Sequence, residues 1–153
     1  LPAALNIGIE SSSSDLVLRV DSDDYVNKNL LNFLYVYLSS NEDCNAIACD
    51  YLLVDDDENF ISRENCLMNP IGCGILFRKK SMLSTGLYDE KFKSQEEVEF
   101  RIRFERKFEI ERLKIPLYRY RRHKSNMTND IKKMDLYKEK LDEKHNILLN
   151  KLK

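Results

Sequence analysis

Apolar positions recur along the chain with two periods, and the switches between them mark out the elements. Leu1, Leu5 and Ile9 stand four apart and predict the end of a helix over 1–10. Ser11 to Ser14 break it, and 15–20 reads as a short apolar strand running directly into Asp21-Ser22-Asp23-Asp24. Leu30, Leu31, Leu34, Tyr37 and Leu38 repeat at helical spacing, which predicts a helix over 27–40 with Asn27 as its N-cap. Residues 46–54 form a β-rich run that ends in an acidic turn at 55–58, with 60–67 as its returning strand. Residues 75–77 give a further strand, and 79–85 a short helix stopped by Gly86. An extended segment is predicted over 110–120, with Pro116 marking it as an edge or irregular strand.

Two stretches read less simply. In 96–110, Val98, Phe100, Ile102 and Phe104 alternate with charged residues, and that period alone predicts a half-buried strand. In 130–153, Met134, Leu141 and Leu148 stand seven apart in a lysine-rich amphipathic helix. A solvated surface helix is the plainer reading of this tail, a dimerising or membrane-surface helix the other. Strands alternating with helices predict an α/β domain around a mostly parallel central sheet flanked by helices.

Composition narrows the function classes. The chain has 153 residues, 42% hydrophobic and 33% charged, which fits one soluble globular domain with a real core. Lysine and arginine number 25 against 26 acids, and that balance argues against a general nucleic-acid partner. The apolar runs fall well short of the ~18 residues a membrane helix needs. Neither CxxC spacing nor enough histidines accompany Cys44, Cys49, Cys66 and Cys73, so a structural zinc site is not expected. Cys49 and Cys73 sit in strand-like runs and read as buried small hydrophobes. Without a secretory signal at its start, the chain is expected in the reducing cytoplasm, with peripheral contact to the inner face of a membrane left open.

Three groups of residues can carry chemistry. Asp21, Asp23 and Asp24 lie at the C-terminal end of a predicted strand, where open α/β sheets bind ligands. Three acids so close call either for a hard divalent cation with substrate phosphates, or for an exposed acidic turn capping the next helix. An EF-hand is a poor match, since Tyr25 and Val26 stand where an oxygen ligand and glycine belong. Among Glu96, Glu97 and Glu99, one that faces a pocket can act as a general base; facing water, the run is a charged surface. Arg119, Arg121, Arg122 and His123 can bind phosphate or a metal, or form a basic edge. Gly72-Cys73-Gly74 hints only at close backbone approach.

Taken in order, Asn6-Ile7-Gly8-Ile9, Val20-Asp21-Ser22-Asp23-Asp24-Tyr25, Gly72 to Arg78, Gly86 to Phe92, Glu96-Glu97-Val98-Glu99 and Tyr120-Arg121-Arg122-His123 resemble family 2 glycosyltransferases of the GT-A fold. The likeness covers 4–128 and implies a partial GT-A domain over 1–128, followed by the amphipathic helix of 129–153. It implies a metal-dependent, inverting transferase that moves a sugar from a nucleotide-diphosphate donor to a hydroxyl of a glycan, surface polysaccharide or lipid-linked acceptor. By the resemblance, Asp21 approaches the nucleotide ribose, and Asp23 with His123 holds Mn²⁺ or Mg²⁺. Asn6, Asp24 and Arg122 complete the nucleotide-sugar site, and the catalytic pair is Glu96-Glu97, with Glu97 in the base position where the family usually has Asp. Leu5 replaces an arginine common in the family. The family's first strands, which carry the base pocket, have no counterpart ahead of residue 1, so the chain is expected to be N-terminally truncated and inactive alone. The resemblance also places a helix from Glu96 onward, and that reading is taken over the strand periodicity. The rival reading is a non-catalytic GT-A-like binding or assembly domain.

Overall fold

The structure is a computed structural model describing residues 1–123, 126 and 130–145. In chain order it contains α1 (Pro2–Ser11), β1 (Leu16–Leu18), β2 (Tyr25–Val26), α2 (Leu30–Ser40), β3 (Ala46–Val54) and β4 (Phe60–Glu64). There follow β5 (Ile75–Arg78), α3 (Lys79–Thr85), α4 (Glu96–Glu105), β6 (Ile110–Arg121) and α5 (Ile131–His145). The most apolar strand, β3, is the axis of a six-stranded sheet ordered β1-β5-β3-β6-β2, with β4 added to β3 beyond the end of β5.

The pleat sorts β3 into two cores. Ala46 and Ala48 join Ile75, Phe77, Met82, Phe100, Phe104 and Ile110 beneath α1, α3 and α4. Ile47, Cys49 and Tyr51 join Leu30, Leu34, Leu38, Leu76 and Tyr118 beneath α2 on the opposite face. Helices therefore cover both faces, as the alternation of elements predicts. The expectation of a mostly parallel sheet is corrected: among the described residues only β3 and β6 run parallel, and β1–β5, β2–β6, β3–β4 and β3–β5 are antiparallel. The physical reason lies in the connections. Residues 55–59 are too few for a crossover, so β4 must return as a hairpin. No helix separates β4 from β5, which also comes back antiparallel to β3.

The segment around Phe100 is a helix, against its strand-like period. Its alternation splits into two pairs at i, i+4. Phe100 and Phe104 face the sheet, and Val98 and Ile102 pack against α5 through Phe92, Tyr137 and Leu141. The charges between them pair at the same spacing, Arg101 to Glu105 at 2.8 Å and Arg103 to Glu99 at 2.7 Å. A helix buried on two sides thus mimics a strand in its pattern. Pro116 marks the irregular strand its presence predicts, within a β6 that lies between β3 and β2 and pairs with β2 only at Tyr118 and Arg119. The proline sits where the register jumps from Cys49↔Leu113 to Asp50↔Pro116, so the ladder is already broken there. All four cysteines are buried free thiols.

Candidate active site

The acidic motif is fastened from within. As β1 ends, the chain turns through Asp21–Asp24, closed by the Asp24 N–H donating to the Asp21 carbonyl. Tyr118, fully buried on β6, accepts from the Asp21 N–H at 3.2 Å and donates its hydroxyl to Asp24 Oδ2 at 2.7 Å. The Arg121 N–H donates to the other Asp24 oxygen at 2.9 Å. Burial outweighs these bonds and raises the Asp24 carboxyl above its ordinary value. Asp21 receives Arg19 Nε at 2.8 Å and Nη2 at 3.2 Å. Asp23 Oδ2 lies 2.9 Å from His123 Nε2, and that bond holds the Asp23 carboxyl below the usual range. Each acid of the motif therefore has its own partner, and Arg19 supplies a cation that the sequence argument sought elsewhere.

The second wall is the start of α4. Gln95 precedes it in the left-handed conformation, φ 57° and ψ 25°, which for a non-glycine residue costs about 1–2 kcal/mol. This turn sends the two glutamates different ways. Glu96 is 2% exposed and accepts from Arg19 Nη1 at 3.3 Å. Glu97 faces the cleft; burial first, then the neighbouring Glu96 charge, pushes its carboxyl up to about 7, with the Arg19 charge acting the other way. Gly72 makes the approach possible, since a Cβ there would meet Arg19 Nη1 and Glu97 Cβ at 3.0 Å each.

Between these walls lies a cleft of about 350 Å³. Asp21, Ser22, Asp23, Gly72, Gln95, Glu96, Glu97, Tyr120, Asn126 and Met134 line it. The structure thus gathers Asp21, Asp23, Glu96 and Glu97 at one opening, with His123 on Asp23 and Asp24 bracing the turn behind. Two sequence candidates stand apart. Asn6 clips α1 to the loop before α4, donating to the Tyr88 carbonyl and accepting from the Tyr88 N–H, each at 2.9 Å. Arg122 is exposed and does not line the cleft; its N–H donates to the Val54 carbonyl at 2.8 Å. Glu99 turns away into a cluster with Arg103, Lys144 and Asp89. A wider hollow of about 770 Å³, near Met68, Arg106 and Phe108, lies away from the acids of the cleft.

Sequence reasoning missed Arg19, Gln95 and Met134. Arg19 carried a signal: a charge inside an apolar strand, two residues before Asp21 and so on its face, needs a carboxylate partner. Gln95 and Met134 carried none, because a left-handed turn at glutamine and a helix docking 39 residues away leave no period.

The family likeness implies a divalent metal, and the residues present fit one. Asp23 offers a partly exposed carboxylate and His123 an imidazole, one oxygen and one nitrogen donor side by side, of the kinds that bind divalent ions. Asp21, Asp24 and Cys73 also converge, with ligand atoms within 4.8 Å of one another. They form a poorer set for a hard ion. The two carboxylates are held by Arg19 and Tyr118, and burial pushes the Cys73 thiol far up.

No family model matches the chain, and no curated protein does. Among solved structures, the crystal structure of S. aureus TarS 1–349, a glycosyltransferase, matches with a TM-score of 0.62 at 18% identity. The match covers 78% of this chain and 40% of that one. The chain therefore spans well under half of the structure it matches. At this identity the likeness establishes a shared fold: mixed α/β, similar to a glycosyltransferase structure.

Proposed function

We propose that this chain carries the catalytic cleft of a glycosyltransferase that takes a nucleotide-diphosphate sugar as donor and a hydroxyl of a glycan or lipid-linked molecule as acceptor. One observation carries the reading. Of two adjacent glutamates, Glu96 is neutralised by Arg19, whereas Glu97 faces the cleft with a carboxyl raised to about 7. A base poised near neutral pH, opposite a carboxylate and an imidazole, is the arrangement that proton-coupled displacement of a diphosphate needs.

Glu97 takes the proton of the acceptor hydroxyl. The acceptor oxygen forms a bond to the anomeric carbon as the bond from that carbon to the diphosphate oxygen breaks, and the electron pair leaves with the nucleoside diphosphate. One displacement inverts the anomeric centre. Asp23 and His123 would hold Mn²⁺ or Mg²⁺, which when bound supplies neutralising charge to the departing diphosphate. Asp21, aligned by Arg19 and by the Tyr118 hydroxyl on its N–H, stands at the rim to accept from the donor ribose. Asp24 and Asn6 act behind the surface, the first bracing the acidic turn and the second fixing Tyr88 under α4. Arg122, outside the cleft, is available to donor phosphates only from its edge.

The test is a panel of nucleotide sugars with Mn²⁺ and hydroxyl acceptors, followed by nucleoside diphosphate release. Glu97→Gln should cost about 10²–10⁴-fold in turnover, the span of a lost general base. Glu96→Gln, which frees Arg19 and removes the like charge beside Glu97 but leaves the base in place, should cost far less. Equal losses in the two variants, or none in Glu97→Gln, would remove Glu97 as base. Mn²⁺-dependent binding of nucleoside diphosphate with no donor consumed would instead support the non-catalytic binding domain.

A further inference from the structure

Among the described residues, Glu58 and Gln95 are the non-glycine positions with positive φ. Glu58 lies in the β3–β4 turn, where such a backbone is unremarkable. Gln95 is the hinge from which both glutamates of the cleft depart. Its side-chain Nε2 donates to the main-chain carbonyl of Met134, in the first turn of α5, at 2.8 Å. Ser94, itself buried, donates its hydroxyl to the Met134 sulfur at 3.4 Å, and Met134 lines the cleft beside Glu97.

We propose that α5 belongs to the site and that Gln95 is the positioning residue through which it acts: the bond to the Met134 carbonyl holds the left-handed turn that delivers Glu96 to Arg19 and leaves Glu97 facing the cleft. This rests on the transferase reading only for what Glu97 does, not for how it is held.

The Met134 carbonyl is a fixed acceptor because α5 is pinned further along. Tyr137 packs on Phe92 with ring centroids 6.0 Å apart, and Leu141 completes that cluster with Val98 and Ile102. Lys144 reaches Asp89 at 2.6 Å and Glu99 at 2.7 Å. These contacts hold the middle and C-terminal end of the helix. The Gln95 bond lies apart from them, at the residue whose own backbone is left-handed. A carbonyl in the first turn of a helix keeps a second lone pair for such a donor.

Gln95→Gly and Gln95→Ala separate the bond from the backbone. Glycine adopts the left-handed turn freely but cannot reach Met134; alanine loses the bond and keeps the strain. The readout is the carboxyl titration of Glu97 by NMR on protein carrying ¹³C-labelled glutamate, assigned with Glu97→Gln. Both variants should lower the Glu97 midpoint by about one unit or more, toward that of a water-exposed glutamate. An unchanged midpoint in both, or a shift in the alanine variant alone, would overturn the proposal. The glycine variant, free of strain, keeps the test readable if the alanine variant folds poorly. The titration needs no substrate. A shifted midpoint in a protein that consumes no donor would fail the transfer reading and leave the positioning role standing. An active protein with an unmoved midpoint fails the positioning role alone.

Discussion

Asp50, on β3, and Glu97, at the head of α4, are both carboxyl groups withdrawn from water, and they end with opposite chemistry. Asp50 is 1% exposed, yet hydrogen bonds from Arg112, at 2.8 Å to each oxygen, outweigh its burial. With Arg63 at 3.0 Å and the Cys66 N–H behind it, Asp50 is held down to about 2. Among the described residues no arginine lies within bonding distance of the Glu97 oxygens, and burial, with the Glu96 charge beside it, pushes that carboxyl up to about 7. The Arg19 guanidinium, whose charge acts on Glu97 through space, is bonded to Asp21 and Glu96. Burial alone does not decide which acid becomes reactive. The decision rests on whether a fixed cation is assigned to that carboxylate or to its neighbour.

The strongest way to break the contrast is to remove the locked acid. Asp50→Ala leaves two guanidiniums without their carboxylate, a change that costs 3–5 kcal/mol in fully buried pairs. Arg112 is 24% and Arg63 49% exposed, so both can turn to water, and about 3 kcal/mol is expected. Urea unfolding at pH 7 measures it. The sign with pH follows from the lowered value: Asp50 contributes stability above its ordinary 3.8, and this fades as pH falls through about 2. The variant should therefore lose its deficit in acid. A deficit of the same size at pH 2 and pH 7 would show that packing, not the ion pairs, sets it.

Glu97 should give the mirror image. Its folded value lies above the ordinary 4.5, so the folded state binds the proton more tightly than the unfolded chain. The stabilisation is complete below 4.5 and is lost as pH rises through about 7. On the order of 2–3 kcal/mol is expected. Relative to Glu97→Gln, the natural protein should become progressively less stable from pH 4.5 to 7, measured by unfolding at each pH. Parallel stability curves for the two proteins would mean that Glu97 titrates as an exposed glutamate and that the contrast with Asp50 is smaller than drawn.

The two regions also differ in how far they can be read without coordinates. The frame came through: the apolar run of β3, the helix closed by Gly86, and the acids following β1 all stand where their patterns put them. These are local signals, set by period, turn chemistry and breakers within a few residues. The errors arose where distant partners decide. Strand direction depends on which connections can cross the sheet, and counting elements does not show that. The period of α4 is misleading because α5 buries a second side of it. Asp50 drew no notice in its apolar strand, since its arginines lie 13 and 62 residues away. In the cleft, the residue types of Asp21, Asp23, Glu96 and Glu97 are legible, but their division into paired and unpaired acids depends on Arg19 and Gln95.

The smallest change that should sharpen the contrast is a single methyl at Gly72. Its backbone is not in the left-handed region, so alanine meets no backbone strain there, only crowding. The added carbon would press on Arg19 Nη1 and on Glu97 Cβ, each at 3.0 Å. The guanidinium is the far end of a flexible chain and can swing aside, whereas Glu97 Cβ is rooted in α4. Overpacking costs 1–3 kcal/mol in general, and with one side free to give, about 1 kcal/mol is expected in thermal unfolding. The more telling readout is electrostatic. Arg19 displaced from Glu96 leaves two glutamates with less positive charge between them, so the Glu97 midpoint should rise further while that of Asp50, on β3, stays where it is. A fall at Glu97 would mean that the methyl group had opened the cleft to water instead, and Gly72 would then be acting as a seal on Glu97 and not as the gap through which Arg19 reaches Glu96.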